Sequence, residues 1–370
     1  MTRRVLLASY EVPGYGGAST ASYRLLDVLR ESDLDVVFVN LIDEQDGEFF
    51  RYVFGPSYGN PRGLDGVYNC HLSGTLYGEH PELGALIEEH APDVMIGVGF
   101  IAAQLLSRAG RGRKLVFLTS GCQQTKNAIM RGYARDYLAV KREIDRGNRR
   151  PGIRSVEERD AVDAADLVVF HSEMTRTLYE HYFPYHTGKF APQTLSFARW
   201  IHADAAEHSG LARPFDERDI DLLFVASDWR RPEKNFAFVE KIAGEASGLR
   251  IDVAGEFEKA ARGATHHGLI AGRRETFELM GRARTVACPS SFDTAPGVLF
   301  EASALGCNVV ASENCGNWTL CNDELRVREF TPAAFAASCE TGRAAKYPDH
   351  LQDFLDRSPY TEFIETLDVL

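Results

Sequence analysis

The chain has 370 residues, 44% of them hydrophobic and 25% charged, which is enough for about two domains with separate cores. A formal net charge of −12 argues against general nucleic-acid binding, which needs a basic face, and no apolar run approaches the ~20 residues of a membrane-spanning helix. Seven cysteines, with no CxxC pair and no histidine at metal-like spacing, argue against a disulfide framework or a zinc site and point to reduced thiols in a cytoplasmic protein.

The first strand is expected over "RRVLLAS" (residues 3–9), whose apolar run stops at Ala8, too early for a leader peptide. "YEVPGYGGASTASYRLL" then places Gly14, Gly16 and Gly17 ahead of a helix over Ala18 to Glu31. Gly14-x-Gly16-x-x-Ser19 approaches the dinucleotide fingerprint of a nicotinamide oxidoreductase, but Tyr10 to Pro13 separate it from the strand and Ser19 replaces the third glycine. It reads as a glycine loop that lets backbone approach a ligand, or as a plain turn. "LDVVFVNL", "DVMIGVG", "RKLVFLTS" and "ADLVVFHS" continue the strand set, with a helix from Thr175 to Tyr182, and the set ends near Ser196.

Within this half, Lys126 to Asp160 carries ten Lys or Arg against six Asp or Glu. Met130, Tyr133, Tyr137, Val140 and Ile144 recur at helical spacing while Arg131, Arg135, Arg142 and Arg146 line another face. A basic amphipathic helix of this kind can meet anionic lipid or an anionic acceptor; the same pattern also suits a surface helix held by its tyrosines.

After the charged loop "LARPFDERD" a second set begins: "RDIDLLFVAS", "GLRIDVAGE", "RTVACPS" and "GCNVVAS", followed by a helical tail with Leu351, Phe354 and Leu355 on one side. Alternating strands and helices predict two doubly wound, Rossmann-like α/β domains, residues 1–200 and 216–345, facing an interdomain cleft, with residues 346–370 as the tail. The triplets Asp33 to Asp35 and Asp219 to Asp221 lead into strands and are assigned no metal.

Two loops of the second set carry candidate chemistry. "SDWRRPEKNFAFVEKI" offers Arg230, Arg231 and Lys234 at a strand-to-helix corner, suited to a diphosphate. "CPSSFDTAPGVLFEASALGCNVVASENCG" places Asp293 before a helix starting near Gly297, whose amides at Gly297, Val298 and Leu299 suit phosphate, and Glu301 one turn in, suited to a ribose diol. Alone, the two acids also read as a cap and a first-turn acid.

Together these residues resemble the GT-B-fold retaining glycosyltransferases of family 4. That family has an N-terminal glycine loop, a strand-end Arg with a following Lys, and the pattern P-S-x-x-E-x-x-G-x-x-x-x-E-A-x-A-x-G-x-P-V-V, here "PSSFDTAPGVLFEASALGCNVV". Asp293 stands where the family has Glu, and Pro296 where it has Gly. The resemblance implies Glu301 on the ribose, Asp293 near the donor sugar, and Arg230 or Arg231 with Lys234 on the phosphates. The amides of Gly297 to Leu299 would complete the cradle, and Gly16 and Gly17 would approach the donor from the other domain. It further implies a UDP- or GDP-linked sugar as donor, a hydroxyl acceptor, no metal and no other cofactor. A non-catalytic nucleotide-sugar-binding subunit, a sugar-nucleotide epimerase and the nicotinamide oxidoreductase are the other readings.

Overall fold

The computed structural model describes residues 3–10, 17–43, 60, 63–72, 78–147, 155–246, 248–270, 272–356 and 358–370. Strands covered on both faces need unbroken apolar runs, and such runs form the centres of two parallel sheets. In chain order the elements begin β1 (Arg4–Ser9), α1 (Gly17–Glu31), β2 (Asp35–Asp43), β3 (Val67–Leu72), α2 (Pro81–His90), β4 (Val94–Val98), α3 (Phe100–Ala109) and β5 (Lys114–Leu118). Then come α4 (Gln123–Met130), α5 (Tyr137–Asp145), α6 (Val156–Ala164), β6 (Leu167–Phe170), α7 (Glu173–Tyr182), β7 (Phe190–Thr194) and α8 (Ala198–Ala206). The remainder is β8 (Ile220–Asp228), α9 (Phe236–Glu245), β9 (Ile251–Glu256), β10 (Ala264–His266), α10 (Arg273–Gly281), β11 (Ala283–Cys288), α11 (Gly297–Ala304), β12 (Asn308–Ala311), α12 (Pro332–Ala344) and α13 (Ser358–Val369).

The chain divides into two compact units. Unit 1 comprises Met1–Gln123, Arg154–Phe197 and Arg357–Leu370; unit 2 comprises Gln124–Ile153 and Ala198–Asp356. The unit 1 sheet has the order β3-β2-β1-β4-β5-β6-β7 and the unit 2 sheet β10-β9-β8-β11-β12. Both are Rossmann-like orders, reversing direction between β1 and β4 and between β8 and β11. A ligand crevice opens at such a reversal, beyond the carboxyl ends of the strands. Leu6, Val39, Met95, Leu105 and Leu115 sit in the unit 1 core; Phe224, Phe238, Val253 and Phe335 sit in that of unit 2, where Phe238 stacks on Phe330 at 4.6 Å.

Several local findings depart from sequence expectation. β3, β7 and β10 were not foreseen: they are edge or near-edge strands, with polar residues or a proline interrupting their apolar pattern. The basic stretch is not one helix. Gly132, at φ 73°, ends the turn after α4, and Asp136 caps α5 by accepting the Ala139 N–H at 2.8 Å. The apolar stripe is therefore split, with Tyr137 and Val140 buried but Met130 and Tyr133 exposed, and residues 148–154 lie outside the described set. Three of the four acids of the Asp-x-Asp triplets hold arginines: Asp35 pairs with Arg4, Asp219 with Arg213 and Arg282, and Asp221 with Arg250. Among the described residues no helix is long and apolar enough to cross a membrane.

Unit 1 also contains a pH-sensitive core group. His171 is 8% exposed, its Nδ1–H donates to the Leu195 carbonyl at 3.2 Å, and its ring lies 5.2 Å from that of Phe197. Burial draws its pKa down to about 4, against a partial upward pull from that hydrogen bond. The unfolded chain thus takes up a proton below about pH 6.5 that the folded chain refuses until about pH 4, so stability falls by about 3 kcal/mol as pH drops through this window. His171→Asn should flatten that part of a plot of unfolding free energy against pH. An identical slope in the variant would assign the loss to other groups.

Candidate functional site

The residues singled out in the second half converge at the carboxyl edge of the unit 2 sheet, at the reversal between β8 and β11. The β8 corner is built on Trp229, which is 4% exposed; its indole donates to the Ala254 carbonyl at 2.9 Å and its backbone N–H to Glu256 at 2.7 Å. From this anchor, Pro232–Lys234 makes one 3-10 turn, and Asn235, at φ 64°, redirects the chain into α9. The loop after β11 is tied to that turn, because the N–H of Ser291 donates to the Glu233 carbonyl at 2.9 Å and its hydroxyl at 3.3 Å.

Across the junction, Lys234 Nζ meets Asp293 Oδ2 at 2.5 Å, with side chains 20% and 15% exposed. Burial alone would pull the Lys234 ammonium down, but the adjacent Asp293 carboxylate outweighs it and the net shift is upward. Lys234 therefore stays charged at neutral pH. Asp293 Oδ1 accepts the Ala295 N–H at 3.3 Å, fixing the turn before α11 rather than capping the helix itself. Its backbone is joined to the segment after β12, through its N–H to the Asn314 carbonyl and through the Gly316 N–H to its own carbonyl, both at 2.9 Å.

The two arginines separate by partner. Arg230 donates to Asp228 at 2.9 Å and to Glu256 at 2.9 Å, so two carboxylates hold it. Arg231 donates to Glu233 Oε1 at 2.6 and 2.9 Å, and the Lys126 ammonium reaches the same oxygen at 3.1 Å. Burial would raise the Glu233 pKa, yet Arg231 and Lys126 bring it down to about 2. Glu233 is 3% exposed and its Oε2 has no hydrogen-bond partner. This carboxylate thus fixes two cations beside the Lys234–Asp293 pair.

α11 starts at Gly297 as expected, but the Leu299 N–H is committed to the Pro296 carbonyl at 3.2 Å. The expected amide cradle therefore narrows to Gly297 and Val298. A Cβ on Gly297 would come 3.4 Å from Ile201 of α8, so α8 packs close to this helix start. One turn in, Glu301 accepts from Arg273 at 3.4 Å; Arg273 also pairs with Asp204 and lies 5.1 Å over the Phe277 ring. Gly16 falls outside the described residues, and Gly17 opens α1 in unit 1.

Sequence reasoning missed Lys126 and Arg273 as parts of this arrangement. The excess of basic residues from Lys126 onward was a signal, but nothing local showed that the segment folds onto unit 2. There Tyr137 donates its N–H to Ser291 at 2.9 Å and stacks on Phe292 at 6.2 Å. The Leu138 N–H reaches Asn314 Oδ1 at 3.0 Å, and Lys141 pairs with Glu313 at 3.3 Å. α5 thereby braces the loops after β11 and β12.

No protein-family model and no curated protein sequence matches the chain. Solved structures do. Sucrose-phosphate synthase from Thermosynechococcus elongatus superposes with a TM-score of 0.61 at 13% identity, over 99% of this chain and 98% of that one. HepE from Anabaena, solved with UDP and glucose, gives 0.59 at 14% identity over 100% of both chains. The catalytic domain of starch synthase IV from Arabidopsis thaliana, bound to ADP and acarbose, gives 0.61 at 10% identity over 99% and 98%. The chain thus has the GT-B fold of two Rossmann-like domains seen in such glycosyltransferases.

Proposed function

We propose that the protein is a retaining glycosyltransferase that moves a sugar from a UDP- or GDP-linked donor to a hydroxyl acceptor without a metal ion. In this reading unit 2 binds the donor and unit 1 the acceptor. One observation carries it: the Lys234–Asp293 pair stands at the β8/β11 reversal, beside the start of α11 and the Glu233-bound cations. HepE and starch synthase IV, which share the fold, were solved with UDP and ADP respectively, which supports a nucleoside diphosphate as the ligand.

As the bond between the anomeric carbon and the phosphate oxygen breaks, its electron pair moves onto the diphosphate. Lys234 and Arg231 stabilise that growing charge, helped by the amides of Gly297 and Val298. The acceptor oxygen attacks from the same face, and its proton passes to the departing phosphate oxygen. Asp293 orients Lys234 and accepts from hydroxyls of the donor sugar, and Glu301 accepts from the ribose diol. Arg230, enclosed by Asp228 and Glu256, buttresses the corner rather than contacting phosphate. Met130 and Tyr133, exposed beside Arg131 and Arg135, suit peripheral contact with an anionic acceptor or lipid surface.

A thermal-shift panel of nucleoside diphosphates tests the donor site, since a ligand at ~100 times its dissociation constant adds about 2.7 kcal/mol of stability. Glu301→Ala removes a charged acceptor for two hydroxyls and should weaken the preferred ligand by about ten- to a hundredfold. A panel that shifts nothing, or an undiminished shift in the variant, would reject this assignment.

A further inference from the structure

Two thiols meet directly beneath the Asp293 loop. Cys288 closes β11 and Cys315 lies in the turn after β12; their sulfurs are 3.5 Å apart, and the Cys315 thiol has both Cys288 Sγ and, at 3.8 Å, the Cys288 carbonyl as acceptors. The Ser290 hydroxyl lies 3.5 Å from Cys288 Sγ on another side. Residues bonded through their backbones to Asp293 flank Cys315: Asn314 accepts the Asp293 N–H, and Gly316 donates to the Asp293 carbonyl. We propose that Cys288 and Cys315 form a reversible disulfide whose closure moves the loop carrying Asp293 and so shifts the Lys234–Asp293 pair.

The sulfurs stand 3.5 Å apart and a disulfide bond is about 2.0 Å long, so closure brings them together by roughly 1.5 Å through rotation of both side chains and adjustment of the segments that carry them. The Asp293 loop is bonded to one of them and follows directly from the other. Chemistry at Cys288 is favoured because the Cys315 S–H, foremost, and the Lys234 charge draw its thiol below the ordinary range, against burial and the Asp293 carboxylate. Burial instead pushes the Cys70 and Cys321 thiols up to about 12.

Cys288 is 5% exposed and Cys315 0%, which points to a small oxidant such as hydrogen peroxide. The Cys288 thiolate attacks one peroxide oxygen; the sulfur–oxygen bond forms, the oxygen–oxygen bond breaks, and the displaced hydroxide leaves as water. Cys315 sulfur then attacks the Cys288 sulfenic acid; the sulfur–sulfur bond forms and the hydroxyl departs as a second water with the Cys315 proton. One peroxide is reduced by two electrons for each disulfide. An external dithiol reverses the change by exchange when local opening of the loop exposes a disulfide sulfur.

The disulfide does not depend on the proposed glycosyl transfer; only its effect on the donor site rests on that reading. Peroxide-treated full-length protein, digested without reductant, should give a Cys288–Cys315 peptide lighter by two hydrogens that dithiothreitol splits. Cys288→Ser and Cys315→Ala should each lack it. Unmodified thiols, a different pairing, or only higher oxides at Cys288 would overturn the proposal, and the wild-type peptide decides this even if a variant fails to fold. The oxidised protein should bind its nucleoside diphosphate at least about tenfold more weakly, because a shifted Lys234 loses its charge-assisted hydrogen bond to the phosphates. A linked protein of unchanged affinity would overturn control of the site. If the reduced protein binds no nucleoside diphosphate, the functional reading fails instead, while the peptide still reports on the disulfide.

Discussion

Lys234→Met should lower kcat for glycosyl transfer by about a hundred- to a thousandfold, the scale of removing one preorganised charge partner from a transition state. Methionine keeps much of the length and apolar contact of lysine and removes only the ammonium. Asp293, 15% exposed, then loses its 2.5 Å counter-ion, so stability should also drop, by roughly 3 kcal/mol. Structural loss and catalytic loss are separable, because melting temperature reports the first and single-turnover rate on folded protein the second. Asp293→Asn supplies a second, independent reading. In the wild type the carboxylate outweighs burial and keeps Lys234 protonated, so the charged form persists well into the alkaline range. With the carboxylate gone, burial and the Arg231 charge lose their main opponent, and the alkaline limb of the pH–rate profile should move to lower pH. A folded Lys234→Met protein with an unchanged single-turnover rate would remove Lys234 from the leaving-group role.

The central strands of both sheets were legible because being buried on both faces leaves a plain mark: Val94–Val98 is buried at every position and apolar apart from Gly97. The start of α11 was legible too, since Pro296-Gly297 after a strand and before an apolar run leaves few alternatives. What stayed hidden depends on contacts distant in sequence. Lys126 is an ordinary helix lysine until its segment folds onto unit 2 and reaches Glu233. The same holds for the C-terminal tail, which is not one helix: Leu351–Phe354 forms a 3-10 turn in unit 2, whereas Tyr360 of α13 accepts the Phe197 N–H at 2.6 Å and joins that helix to unit 1. Adjacent arginines could not be ranked from spacing either. A single 3-10 turn, set by Pro232, gives Arg231 to Glu233, while Arg230 turns to Asp228 and Glu256. Even the amide cradle was over-counted, because Leu299 closes a short turn onto Pro296 that periodicity does not reveal.

Gly255→Ala should produce the largest loss of stability of the substitutions considered, about 3–5 kcal/mol, with a fall in melting temperature on the order of 10 °C. Gly255 sits in β9 at φ 130°, a conformation that side chains disfavour, and its N–H donates to the Gly268 carbonyl at 2.7 Å. An added methyl would lie 1.8 Å from the Ala226 carbonyl oxygen and 2.9 Å from the Trp229 ring. A backbone oxygen cannot swing aside as a side chain can, so β8 must separate from β9. Their register already shifts between Val225 and Asp228, which makes this the place where the pair would part. Trp229 would then lose its bonds to Ala254 and Glu256, and the corner bearing Arg231 and Lys234 would lose its anchor. The variant should therefore show both a lowered melting transition and altered tryptophan fluorescence, with donor affinity falling alongside. A melting temperature within about 2 °C of wild type would mean that β8 and β9 absorb the methyl, and that the Trp229 anchor is softer than its hydrogen bonds imply.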